Sequence, residues 1–359
     1  MTNLLILTVG TGTAGAHSDL ASGLCRTLEL LAPRKFWLIP SSSPDSLAIA
    51  DLIAEGQAAF AGRFPLEHPD DLECSRQHIR TVISRVRKQV KKEERLLVNP
   101  TSGTKQMTAA ATLAALDEQI GDIVFTTGER SDGVVKTGTE RMTFFNPAGY
   151  FLERDMALAR EFFNAGDFYA AERILKPYNT TNTKEYTTAY TCHHWRRFDY
   201  DRAKTYDKAL ENRSPRDIVA DILAWSDHAL RHDDPDGSFR LTYKALEHAA
   251  RLFLEEKTGL NPDANGRYKA ADIAGLRTTF VPEGRNREIT LGLQNIVKIL
   301  NDLGHPFGTG FDRKVKDFCD IRNDATHDLR PVSKKEAQDF LHLARARIGI
   351  TPTPIPESL

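Results

Sequence analysis

Hydrophobic positions follow two regimes along the chain. Through about residue 150, short unbroken apolar runs alternate with stretches of helical periodicity. LLILTVG (4–10), KFWLIP (35–40), RLLVNP (95–100) and DIVFTTG (122–128) are too short and continuous for amphipathic helices. They predict strands buried on both faces. Between them, residues 76–95 place Ile79, Val82, Val86 and Val90 on one helical face, with Arg and Lys elsewhere. That basic face reads as the solvated back of a helix. Residues 104–119 are rich in small helix formers suited to close packing on a sheet. Strands alternating with helices predict an α/β fold with a parallel, doubly wound sheet. A closing β-hairpin is expected at 133–146, around Thr137-Gly138.

Beyond residue 150 strand signals nearly vanish, which predicts an all-α helical bundle. Residues 153–177 read as a helical hairpin, with Gly166 ending the first helix and Asp167 capping the second. The hairpin looks like a tetratricopeptide unit, but no repeat follows at the required period. Polar TTNTKEYTT (180–188) reads as a loop. Helical patterns resume at 197–212, 215–232, 238–258, 287–303, 311–328 and 333–348. The tail TPTPIPESL is expected to stay unpacked and mobile. The expected organisation is 1–150, a sheet domain; 151–235, a helical linker region; 236–350, a helical domain; and 351–359, a flexible tail.

Composition narrows the class. At 359 residues, 40% hydrophobic and 27% charged, the chain reads as a soluble globular protein of about two domains. No apolar run approaches the roughly 18 residues of a membrane span. The first residues run from apolar straight into a glycine turn, as a strand does and a signal peptide does not. Cys25, Cys74, Cys192 and Cys319 are scattered without a CxxC, which suits a reducing cytoplasm. A net charge of −1 provides no global basic field, so neither DNA nor a membrane is expected as a partner. Any RNA contact needs a local cleft. Cys192-His193-His194 could suggest a metal, but adjacent histidines point apart in most backbones and no second ligand cluster follows. No metal or cofactor is expected. His228, His232 and Asp233 read as a solvated helix face. There is no G-x-S-x-G or H-E-x-x-H.

Two loops carry phosphate chemistry. The first strand runs into Gly10-Thr11-Gly12-Thr13-Ala14-Gly15, a G-x-G-x-x-G ahead of a helix, where amides and a helix N-terminus can face an anion. A nicotinamide site also needs a carboxylate at the end of the second strand; here stands Pro40-Ser41-Ser42-Ser43. That argues against NAD, though the serines could tolerate NADP. The second loop, Asn99-Pro100-Thr101-Ser102-Gly103-Thr104-Lys105, lacks the upstream glycine of a Walker A motif but offers hydroxyls, a glycine and a lysine at a helix start. Ligands of doubly wound sheets sit beyond the C-terminal strand ends, and both loops fall on that rim.

In the helical part, Phe311, Val315, Phe318, Arg322, Ala325 and Leu329 recur at three- and four-residue steps. Arg322 interrupts this apolar stripe. A charge there is costly unless it meets a carboxylate, an interface or an anionic substrate. Asn323 follows it, and His327 lies five positions on. Arg63 and His68 repeat the spacing in a segment that Pro65 breaks, without a buried setting. Five helical residues turn about 500°, leaving Arg322 and His327 about 140° apart. Either the helix distorts near Thr326 or a site is completed by a second chain.

Together these features resemble the CARF–HEPN ribonucleases of type III CRISPR systems. The likeness rests on the Gly-Thr-Gly turn, the Asn-Pro-Thr-Ser-Gly-Thr-Lys loop and the Arg-Asn-x-x-x-His element in that order. The resemblance implies a Rossmann-like CARF domain that senses a cyclic oligoadenylate, and a HEPN-like helical bundle that cleaves single-stranded RNA. Both would pair in a homodimer used in antiviral defence. It implies ring contacts from Gly10, Thr11, Gly12, Thr13, Asn99, Thr101, Ser102, Gly103, Thr104 and Lys105. A ring of four adenosines is expected over six. A hydroxyl-rich pocket could also cut the ring slowly. Catalysis would fall to Arg322, Asn323 and His327, using the RNA 2′-OH without a metal. The alternatives are a ring-sensing binding protein without nuclease activity and an NADP-dependent enzyme.

Overall fold

The computed structural model describes residues 2–11, 17–131, 134–136, 138–181, 183–263, 265–276, 278–281, 287–310, 312–327 and 330–359, with backbone alone at 130, 131, 134, 312–315 and 325–327. The chain divides into two compact units, Met1–Glu153 and Arg154–Leu359.

The first unit runs β1 (Thr2–Val9), α1 (His17–Leu31), β2 (Lys35–Pro40), α2 (Pro44–Ala54), β3 (Phe60–Arg63), α3 (Leu72–Arg87), β4 (Glu94–Asn99), α4 (Lys105–Asp117), β5 (Asp122–Thr127), β6 (Arg130–Ser131), β7 (Val134–Val135) and β8 (Arg141–Phe145). One six-stranded sheet has the order β3-β2-β1-β4-β5-β8. All its pairings are parallel except that of β8 on β5. The β1 side chains alternate between two cores, as period two requires. Leu4 and Ile6 pack with Ile79, Val82 and Ala111 on one face, and Leu5, Leu7 and Val9 pack with Leu24, Leu28 and Ile49 on the other. The hairpin expected at 133–146 forms differently. Val134–Val135 pairs with Arg130–Ser131 in a small ribbon, while Arg141–Phe145 closes the sheet against β5. Pairing with β5 covers the ladder groups of an edge that would otherwise face solvent.

The second unit contains most of α5 (Ala148–Asn164), then α6 (Phe168–Leu175), α7 (Thr183–Trp195), α8 (Tyr200–Ala203), α9 (Pro215–Arg231), α10 (Pro235–Thr258), β9 (Arg267–Lys269), α11 (Ala270–Ala274), β10 (Glu288–Thr290), α12 (Leu293–Asp302), α13 (Asp312–His327) and α14 (Lys334–Ile348). Asp167 caps α6 through the Ala170 amide at 3.0 Å, and Gly166 takes φ +80°, as the hairpin reading expects. Val219 and Leu223 of α9 share one core with Leu246 and Phe253 of α10, Ile296 of α12 and Phe340 of α14. Helices on both sides of residue 235 contribute to this core.

Three local expectations change. The segment read as a polar loop at 180–188 enters α7, because Tyr186, Ala189, Cys192 and Trp195 bury one face at helical spacing. The expected helix at 197–212 reduces to α8 and a short 3-10 turn, Lys208–Leu210. The tail is held: the Thr353 hydroxyl donates to Asp221 at 2.5 Å and its amide to the Ala220 carbonyl at 3.3 Å. Among the described residues no helix is long and apolar enough to cross a membrane.

Candidate functional site

In the sheet unit the two predicted loops meet. The strand order reverses between β1 and β4, so their C-terminal ends flank the crevice where doubly wound sheets bind ligands. The Gly10 amide donates to the Ser102 hydroxyl at 3.0 Å. A Cβ on Gly10 would stand 2.8 Å from both the Cα and the nitrogen of Gly103, so only glycine permits this approach of backbones. Gly103 itself takes φ +128°.

Buried polar groups hold the second loop in shape. Asn99, fully buried, accepts from the Thr101 amide at 3.0 Å and donates to the Thr126 hydroxyl at 2.9 Å. The Thr101 hydroxyl in turn accepts from the Thr126 amide at 2.8 Å. Thr104 caps α4 by accepting from the Met107 amide at 3.1 Å, and its hydroxyl donates to the Pro69 carbonyl at 2.9 Å. Asn99, Ser102 and Thr104 are thus engaged in shaping the loop. Thr11, Gly103 and Lys105 are exposed on the rim, and Lys105 opens α4 where the helix N-terminus favours an anion. Gly12 and Thr13 lie outside the described residues.

The serines after β2 are also committed. Ser41 is buried, Ser43 caps α2, and the Ser46 hydroxyl donates to the Val9 carbonyl at 2.8 Å. These bonds brace the end of β1 and leave mainly Ser42 facing solvent, which is little for a ribose phosphate.

In the helical unit, α13 stacks Phe318 on Phe340 at 4.0 Å between centroids and buries Cys319. One turn on, Arg322 is half-buried. Its guanidinium lies 5.1 Å from the Tyr243 ring centroid and donates to Asn323 Oδ1 at 2.8 Å. Among the described residues no carboxylate pairs with it. Tyr243 is held by the hydroxyl's 3.7 Å contact with Cys319 Sγ, and burial, then Cys319, raises its pKa. No motif or spacing singles out Tyr243, which lies on α10. Helix α13 runs through His327, and on regular helical geometry positions 322 and 327 lie about 140° apart. Phe311 and Leu329, and the side chains of Val315, Ala325 and His327, lie outside the described residues. Arg63, with the same spacing to His68, is spent in an exposed ion pair with Asp51.

The adjacent histidines also depart from expectation. The rings of His193 and His194 do not diverge: their centroids are 4.6 Å apart, and both face Glu172 of α6.

No family model matches the chain, and no curated protein matches it. Among solved structures it superposes on Enterococcus italicus Csm6 bound to cyclic hexa-2'-fluoro-hexa-dAMP. The TM-score is 0.70 at 10% sequence identity, covering 97% of this chain and 94% of that one. The chain shares the Csm6 fold. The likeness covers nearly the whole of this chain and so includes both of its units. At this identity the Csm6 likeness concerns fold and assigns no residue a role.

Proposed function

We propose that the chain is a homodimeric, single-stranded RNA endoribonuclease of CRISPR antiviral defence, switched on by a cyclic oligoadenylate. The observation that carries this reading is the contact of Gly10 with Ser102 and Gly103 at the sheet's switch point. It makes one rim of amides, hydroxyls and Lys105, suited to the singly charged diesters of a ring. The same fold, in Csm6, was bound to such a ring. A symmetric ring suits a symmetric dimer, each protomer meeting half.

In the helical unit, the RNA 2′-OH attacks the adjacent phosphorus and the 5′-oxygen leaves. The products are a 2′,3′-cyclic phosphate and a free 5′-OH. Arg322 holds the scissile phosphate and stabilises its growing charge, Asn323 orients the guanidinium, and His327 accepts or relays the proton. Because Arg322 and His327 diverge on one helix, the cleft is completed by a second copy of α13. Ring binding favours the paired, cutting arrangement by population shift.

The test is an RNA-cleavage assay in EDTA with cyclic tri-, tetra- and hexa-adenylate. Cutting is expected only with ring, the tetramer first, and is lost in Arg322→Ala and His327→Ala. Unchanged cutting in either variant overturns the site. Ring-dependent dimer changes without RNA loss would instead identify a binding protein, and thermal stabilisation by NADP alone a dinucleotide enzyme.

A further inference from the structure

We propose that Glu172, His193 and His194 bind one divalent d-block ion, with zinc the expected occupant. Glu172 sits on α6, and His193 and His194 end α7. One ligand atom from each lies within 4.8 Å of the other two. The cluster is sheltered: Glu172 is 9% exposed and His194 5%. His193 Nδ1 is 2.5 Å from the Glu172 carboxylate. The buried Nδ1 of His194 has no hydrogen-bond partner, and the Asp199 carboxylate stands 3.4 Å away.

A buried ring nitrogen without a partner costs roughly 1–3 kcal/mol, so it calls for an occupant or a function. Two imidazoles with one carboxylate make a mixed nitrogen–oxygen set, which suits zinc and its neighbours and not the oxygen-seeking magnesium or calcium. Ligand bonds of about 2.0–2.1 Å require donors somewhat over 3 Å apart. The His193–Glu172 contact therefore opens by roughly 1 Å and the wider separations contract, which side-chain torsions supply while the helices stay in place. Asp199, 3.4 Å from that same His194 Nδ1, is placed to fill a fourth position. The ion would clamp α6 to α7. It takes no part in the RNA chemistry proposed above, so the two readings stand or fall separately.

The full chain, stripped with chelator and dialysed, is titrated with zinc sulfate by calorimetry and with cobalt(II) followed by visible absorption. One equivalent per chain is expected, with a tetrahedral cobalt spectrum and a rise in the thermal midpoint. Glu172→Gln preserves the shape of the site and His193→Asn a hydrogen-bonding side chain. Both are expected to fold with unchanged midpoints in chelator and to bind at least 10-fold more weakly. Absence of binding in the intact chain, or undiminished affinity in both folded variants, overturns the site.

Discussion

The amide of Gly10 donates to the hydroxyl of Ser102 across 92 positions of sequence, and this one bond joins the two loops at the sheet's switch point. Gly10→Ala places a methyl 2.8 Å from Gly103 backbone atoms, which cannot move as a flexible side chain would. The loops must separate, at a cost of about 1–3 kcal/mol. The expected outcome is a lowered thermal midpoint and ring affinity reduced at least about 10-fold by calorimetric titration. Wild-type ring affinity in the folded variant would remove this contact from the ligand site.

Arg322 rests on the face of Tyr243, so the ring helps aim the guanidinium. Tyr243→Phe keeps that face and is expected to cleave RNA near the wild-type rate. Tyr243→Leu removes it and should lower cleavage by about 10-fold, within the range of a partly desolvated cation–π contact. Arg322→Lys keeps the charge but loses the planar fork, and a loss of about 100-fold or more is expected. Single-turnover cleavage rates with saturating ring check all three. Equal rates for Phe and Leu at position 243 would show that the aromatic face does not matter.

Much of this architecture is legible along the chain because strands buried on both faces and amphipathic helices write their period directly. The β1, β2, β4 and β5 runs are of this kind. The α7 helix is not: its threonines favour a loop locally, and burial of Tyr186, Cys192 and Trp195 overrides them. The site divides similarly. Gly10, Thr101 and Lys105 stand out as loop chemistry, whereas Thr126 and Tyr243 enter only through distant packing. His228 reads as a solvated position but is 5% exposed, since Phe168 and Trp225 close over it.

The tail owes its place to a buried ion pair. Asp221 is fully buried and paired with Arg213, whose Nε donates to it at 3.0 Å. The Tyr200 hydroxyl donates to the same carboxylate at 2.9 Å and the Thr353 hydroxyl at 2.5 Å. Thr353→Val removes one of these donors and should cost about 1–3 kcal/mol. Asp221→Ala leaves Arg213 uncompensated and should cost about 3–5 kcal/mol. Urea unfolding measures both, and protease digestion should release the segment after Gly349 sooner in Thr353→Val. Equal stability of wild type and Thr353→Val would show the tail to be a passive passenger.

His228 should make the fold acid-sensitive. Its ring stacks on that of His232 at 3.9 Å, and its Nδ1 is buried without a partner. Burial first, then the charge of His232, with Arg196 and Arg231 beyond, pushes its pKa from 6.5 down to about 3. The folded value lies below the unfolded one, so under about pH 6.5 the unfolded chain takes a proton that the folded chain refuses. Stability from this group is complete above that pH and falls as pH drops toward 3, by up to about 1.4 kcal/mol per pH unit. His194, His248 and His305 are shifted in the same direction and add to the slope. His228→Leu removes one share of it. Urea midpoints taken from about pH 7 to about pH 4.5 should therefore fall less steeply in the variant, by about one proton's worth of slope. Parallel curves for the two proteins would mean that His228 is protonated in the folded state, and that its stacking on His232 does not exclude the charge.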